Sequence, residues 1–219
     1  MQLAAWRREG EPEQAFIPLL ADQAKVALDI GANWGPYSGA LIGRSASVIA
    51  FEPNPIMARK FQRAWPNIRL EQCALSDIEG TATLRMPISN TGHVMPGYAS
   101  ISDGVNFERE QSVEVEVRRL DDFQIKNVGF VKIDVEGHEL AVLRGGWETL
   151  KRDRPNLLIE SQADHCDGCP EAVIELLATI GYAATFLHHG AEKPFSAWSP
   201  RLKATVYDGP INMFAFRPA

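Results

Sequence analysis

The chain has 219 residues, of which 45% are hydrophobic and 23% charged, as in a soluble globular protein forming one domain with a sizeable core. Its formal charge of −6 argues against broad nucleic-acid binding, which needs basic surface to neutralise phosphates. No apolar stretch approaches the roughly 20 residues that span a bilayer, and the opening MQLAAWRREGEPEQ lacks a signal-peptide core, so no membrane association and a cytoplasmic location are expected.

Residues 1–24 read as a helical segment with Phe16, Ile17, Leu19 and Leu20 on its apolar side. Val26 to Ile30 is a buried parallel strand, broken by Gly31 and Gly35, which let the backbone turn sharply against a ligand. Ser47 to Phe51 is a second strand with Glu52 at its carboxyl end. That places an acid about 20 residues beyond the glycine turn, where a βαβ unit offers it to ribose hydroxyls. Asn54 suits a helix N-cap and Pro55 the first helical position, and Met57, Phe61 and Trp65 form the inward stripe that follows. Ile68 to Cys73 gives a third strand.

Thr81 to Leu84 and Val113 to Val117 alternate with period two, as antiparallel edge strands do. Residues 87–111 between them are rich in Gly, Ser, Asn and Pro, and are either a substrate-covering loop or an idle surface loop. Val128 to Val135 is a buried strand leading into Asp134, Glu136 and Gly137. A helix then runs from His138 to Arg144 and stops at Gly145-Gly146 as a C-cap. Asn156 to Glu160 is the next strand, Pro170 to Ile180 a helix, and Tyr182 to Leu187 and Ile211 to Phe216 finish the sheet as a pair. The odd count of three cysteines fits a reducing compartment, and Cys166 and Cys169 beside His165 read as a loop pair of thiols. A structural zinc there would want two further ligands, and no metal is required by anything visible.

Strands alternating with helices at this spacing predict an α/β, doubly wound, Rossmann-like sheet whose ligand lies beyond the carboxyl ends of the strands. Asp29, Glu52, Cys73 and Asp134 fall near those ends. A dinucleotide wants G-x-G-x-x-G. Here Gly31-Ala32-Asn33-Trp34-Gly35-Pro36 lacks the third glycine, and Asp29 suits a cation better than a phosphate. S-adenosyl-L-methionine, which carries a sulfonium and an ammonium, is therefore expected ahead of NAD.

Four blocks, LDIGANWGPYS (28–38), FEPNP (51–55), CALSDIEGTATL (73–84) and VKIDVEGHELAVLRGG (131–146), resemble the FkbM family of S-adenosylmethionine-dependent methyltransferases. RRLDDF (118–123) and RPNLLIE (154–160) extend the likeness, Trp34 and Pro36 depart from it, and the chain after about residue 165 matches poorly. The resemblance implies a seven-stranded sheet with its last strand antiparallel. It implies that Asp29 and the turn holding Gly31, Asn33 and Gly35 meet the methionine end of the cofactor. Glu52 would bind the ribose hydroxyls, and Ser76 and Asp77 would border the adenine. Asp134, Glu136 and His138 are the candidates for chemistry, with His138 as base and Asp134 on the cofactor side or orienting the acceptor. The implied activity is O-methylation of a hydroxyl on a small molecule or saccharide, with N-methylation open. A cofactor-binding protein without turnover and an NAD-dependent oxidoreductase are the alternatives. Acceptor choice is assigned to residues 87–111 and the C-terminal portion, and the oligomeric state stays undetermined.

Overall fold

The computed structural model describes residues 12–102, 104–166, 168–188, 191–202 and 211–219, so the first eleven residues of the expected N-terminal segment lie outside it. A 3-10 turn at Pro12–Phe16 leads into helix α1 (Ile17–Leu20), where Phe16, Ile17 and Leu20 are buried. Leu19, assigned to that apolar side, is instead 64% exposed, because a single short turn has only one face against the sheet. The chain continues through β1 (Val26–Ile30), α2 (Pro36–Leu41), β2 (Ser47–Phe51), α3 (Pro55–Ala64), β3 (Arg69–Glu71) and β4 (Ala74–Leu75). Asn54 caps α3 by accepting the Ile56 N–H at 2.9 Å. Next come β5 (Gly80–Pro87), β6 (Glu110–Arg118), β7 (Val128–Ile133), α4 (Glu139–Gly145), α5 (Trp147–Asp153), β8 (Asn156–Glu160), α6 (Glu171–Ala178), β9 (Tyr182–His188), β10 (Ala191–Pro194) and β11 (Met213–Pro218).

The main sheet runs β10-β9-β11-β8-β7-β1-β2-β3. The strands β3, β2, β1, β7 and β8 are mutually parallel, and the last strand, β11, lies antiparallel between β8 and β9. The seven expected strands are present, and β10, a short exposed hairpin partner of β9, makes an eighth at the edge. Alternate residues of the parallel strands feed two cores, because a strand's side chains point to opposite faces. Leu28, Ile49, Val131, Leu157 and Ile159 pack with Val142, Leu150 and Val173 from α4, α5 and α6. Ala27, Phe130, Leu158 and Ala215 pack with Leu20, Tyr37 and Leu41 from α1 and α2. The sheet is thus wound on both faces. The strands β5 and β6 do pair antiparallel, and together with β4 they form a separate three-stranded sheet.

The helix α4 stops at Gly145 with Gly146 as its C-cap, as expected; at φ −107° that cap is not left-handed, and α5 begins at once. These glycines serve close approach, since a Cβ on Gly145 would overlap the Ser76 carbonyl and one on Gly146 would meet Leu120. The start of α5 is held by Asp121, which accepts the Glu148 and Thr149 N–H groups at 3.0 and 2.9 Å. Cys166 and Cys169 are not free thiols but a disulfide, because the turn closed by Cys169 N–H on the Cys166 carbonyl (3.1 Å) brings their Cα atoms to 5.4 Å, within bridging range. Cys73 is free and buried, and burial pushes its thiol up to about 12.

Candidate cofactor and acceptor site

A pocket opens beyond the carboxyl ends of β1, β2 and β7. Its floor is Gly31, Asn33, Glu52, Asp134, Glu136 and His138, and its roof is Pro96, Gly97, Ala99 and Ile101. The turn after β1 is fixed by sterics. Gly31 sits at φ +74°, where a Cβ would overlap the Asp134 carbonyl, so only glycine lets β1 and β7 converge here. Asn33 is left-handed at φ 55°, stabilised by its own Oδ1 accepting the Trp34 N–H at 2.9 Å. Gly35 lies outside the lining, beneath Trp65 and Phe61, with no room for a Cβ.

Glu52 is the anchor of the floor. Its Oε2 accepts the Asn33 N–H and its Oε1 the Asn54 N–H, each at 2.7 Å, so both oxygens are held and still carry lone pairs. Burial outweighs these two bonds and pushes the carboxyl up to about 7. Asp29 does not reach the pocket. It is fully buried behind the turn, where Ser38 Oγ donates to it at 2.6 Å and Lys132 Nζ stands 3.7 Å away. The parallel register pairs Asp29 with Lys132, and that lysine also contacts Asp134 at 3.1 Å and donates to the Gly31 carbonyl at 3.1 Å. Lys132 therefore ties the tips of β1 and β7 together from inside. Burial raises the Asp29 carboxyl, and Lys132 then opposes the shift.

At the opposite wall His138 Nε2 lies 2.9 Å from Ser76 Oγ. The Ser76 hydroxyl also lies 3.2 Å from Asp77 Oδ1, so it can donate either to that carboxylate or to the imidazole. Ser76 is buried, while Asp77 is exposed and outside the lining. Glu136, left-handed at φ 53°, lines the pocket, and its Oε2 lies 3.1 Å from His165 Nδ1. Burial, followed by the Asp134 and Glu139 charges, pushes the Glu136 carboxyl up to about 8. Glu160, at the end of β8, is raised by burial and by Asp134 and Glu136, and its Oε1 accepts amide bonds from Gln162 and Asn212, each at 2.6 Å.

The roof comes from the segment between β5 and β6. Asn54 Nδ2 donates to the Pro96 carbonyl at 3.0 Å, Asn33 Nδ2 to that of Gly97 at 3.4 Å, and Ser100 Oγ to that of Glu136 at 2.6 Å. Part of the 87–111 stretch is thus tied across the site. Among the described residues the lining carries Glu52, Asp134 and Glu136 and no lysine or arginine, an environment for a cationic ligand rather than a phosphate. The geometry thus gathers Gly31, Asn33, Glu52, Asp134, Glu136 and His138 around one pocket, with Ser76 one hydrogen bond behind it. It leaves Asp29, Gly35, Cys73 and Asp77 outside. Lys132 and His165 were missed from the sequence, whereas the Pro96–Gly97 roof falls within residues 87–111, read there as either a substrate-covering or an idle loop. Lys132 had a signal, its shared strand face with Asp134, but His165 meets Glu136 only through the fold.

An open sheet with its final strand reversed, carrying an acidic crevice at a glycine turn, defines the class of S-adenosylmethionine-dependent α/β methyltransferases. A model of the methyltransferase FkbM domain matches residues 29–189, and the chain belongs to that family. It is 32% identical over 164 residues to the hexuronic acid methyltransferase AglP of Haloferax volcanii, a match covering 64% of this chain and 59% of that protein. It is 26% identical over 190 residues to the 2-O-methyltransferase NoeI of Sinorhizobium fredii, covering 78% of each. The first of these matches thus spans about three-fifths of its relative's length. Among solved structures, methyltransferase FkbM from Methylobacillus flagellatus superposes with a TM-score of 0.58 at 18% identity, covering 97% of this chain and 52% of that one. A Streptococcus mutans protein in complex with SAH superposes with a TM-score of 0.52 at 10% identity, covering 93% and 94%. These likenesses show the fold.

Proposed function

We propose that the protein transfers a methyl group from S-adenosylmethionine to a hydroxyl of a saccharide or similar small molecule. The carrying observation is Glu52: a buried carboxylate, gripped through both oxygens by backbone N–H groups, presented to an acidic pocket beside the left-handed Gly31–Asn33 turn. This donor set fits the cofactor, with Glu52 accepting from the ribose hydroxyls and the turn receiving the methionine end. Asp29 acts through Lys132 in holding that turn, and the Ser76–Asp77 step borders the adenine, kept in place by His138. When bound, the cofactor supplies a methyl group already activated on a sulfonium sulfur, so the protein's task is positioning and proton removal. Asp134 and Glu136 face the acceptor, and the tethered Pro96–Ile101 roof excludes water and orients it. The relatives named as acting on a hexuronic acid and at a 2-O position support a saccharide hydroxyl. The acidic lining and the net charge of −6 disfavour a nucleic acid acceptor. Among the described residues no helix is long and apolar enough to cross a membrane. The Cys166–Cys169 bridge opposes the expectation of a reducing compartment, since disulfides form and persist in oxidising ones.

The test is calorimetry with S-adenosylhomocysteine, followed by methyl-labelled S-adenosylmethionine offered to a panel of neutral, amino and uronic saccharides. Saturable binding and label in an alkali-stable ether are expected. Absence of binding would overturn the reading of the pocket, and binding with no labelled saccharide would overturn the acceptor class.

A further inference from the structure

We propose that His165, held by Glu136, is the general base that takes the proton from the acceptor hydroxyl; this rests on the methyl-transfer reading above. Glu136 belongs to the pocket wall, and its Oε2 engages His165 through Nδ1 at 3.1 Å. Once Glu136 is ionised, above about pH 8, this contact is Nδ1–H donating to the carboxylate, which leaves the lone pair on Nε2, to which no hydrogen bond occurs among the described residues. A carboxylate on Nδ1–H and a bare Nε2 is the arrangement in which an acid fixes the tautomer of a neutral imidazole and then stabilises the imidazolium. His138 Nε2 is instead engaged with Ser76 Oγ at 2.9 Å.

The position of His165 is built rather than incidental. Its N–H donates to the Gln162 carbonyl at 3.2 Å. Its own carbonyl occupies the space that a Cβ on Gly137 would fill, and Gly137 is left-handed at φ +95°. The Cys166–Cys169 bridge closes the turn that follows. The side chain retains 27% exposure and lies against Glu136, which lines the pocket. The charges around Glu136 are Asp134 and Glu139, with Lys132 opposing them, while Glu160 feels both Asp134 and Glu136. In the step, a lone pair of the acceptor oxygen forms the bond to the methyl carbon as the carbon–sulfur bond breaks. The breaking bond's electrons go to sulfur and neutralise it, and the hydroxyl proton moves to His165 Nε2, from which water later removes it.

Two measurements decide the matter. Long-range proton–nitrogen NMR of the imidazoles at about pH 9, where Glu136 is ionised, with S-adenosylhomocysteine present, is expected to show neutral His165 as the Nδ1–H tautomer. In Glu136→Ala it should shift towards Nε2–H. An Nε2–H tautomer in the wild type would overturn the proposal. For whichever panel saccharide the wild type methylates, His165→Ala should lower kcat by about 10² to 10⁴ and abolish the rise of rate with pH. Cofactor affinity should stay within about twofold, and His138→Ala should keep the pH dependence. A His165→Ala enzyme within about threefold of wild-type kcat, or one with the wild-type pH profile, would refute it. If no saccharide is methylated, the acceptor reading fails by itself, and the tautomer measurement still decides the dyad.

Discussion

The carboxyl of Glu52 makes cofactor affinity depend on pH, with a sign and size that follow from its surroundings. Burial raises it to about 7, despite two backbone N–H bonds. Ribose hydroxyls donate to the ionised form, so binding lowers this pKa, and affinity is greatest above pH 7 and falls as the pH drops through it. At pH 6 only about one molecule in eleven carries the ionised form, so affinity should be about tenfold weaker than at pH 8, or about 1.4 kcal/mol. Adenosine is the suitable probe, since it carries both hydroxyls and does not itself titrate in that range. Calorimetry in two buffers of different ionisation enthalpy should register about half a proton released per adenosine near pH 7. Glu52→Gln should flatten the dependence. It also turns an amide NH₂ towards one of two backbone N–H donors, costing about 1–3 kcal/mol of stability. Affinity that is level from pH 6 to 8 in the wild type, or an unchanged slope in Glu52→Gln, would refute the assignment.

Lys132→Met should destabilise the fold by about 3–5 kcal/mol, because the buried Asp29 loses its cation. Urea unfolding measures this, the added change Asp29→Asn should restore part of it, and a loss below about 1 kcal/mol would contradict the ion-pair reading. Asn54→Ala removes both the cap on α3 and the tether to Pro96. About 1 kcal/mol of stability should go, with hydrogen exchange at Tyr98 and Ser100 accelerated roughly fivefold, whereas unchanged exchange would mean the roof is held by other contacts.

Much of the architecture was legible because it follows from local chemistry. Near-continuous apolar runs such as Val26–Ile30 and Val128–Ile133 can only be strands covered on both faces, and the glycine after β1 marks where the chain must turn. Asn54-Pro55 announces its helix by the capping geometry those two residues favour. What escaped the sequence lies where a residue's role depends on a distant partner. Gly145-Gly146 was legible as the end of α4, but not as the close approach to Ser76 and Leu120. Cys166 and Cys169 were separated from bonding only by knowledge of the turn between them.

The same division runs through the site. Sequence alone determined that an acid stands at the tip of the second strand and that the pocket should suit a cation, because spacing along a βαβ unit is set by short-range geometry. Tertiary structure decided which acids face the ligand. Register set Asp29 against Lys132 and withdrew it from the pocket, whereas Glu52 was turned inward by two amides from separate turns. It also brought His165 to Glu136 and laid Pro96 on Asn54, partners 29 and 42 positions apart in the chain. Contacts of that range depend on how whole elements pack, and no local pattern of residues encodes them.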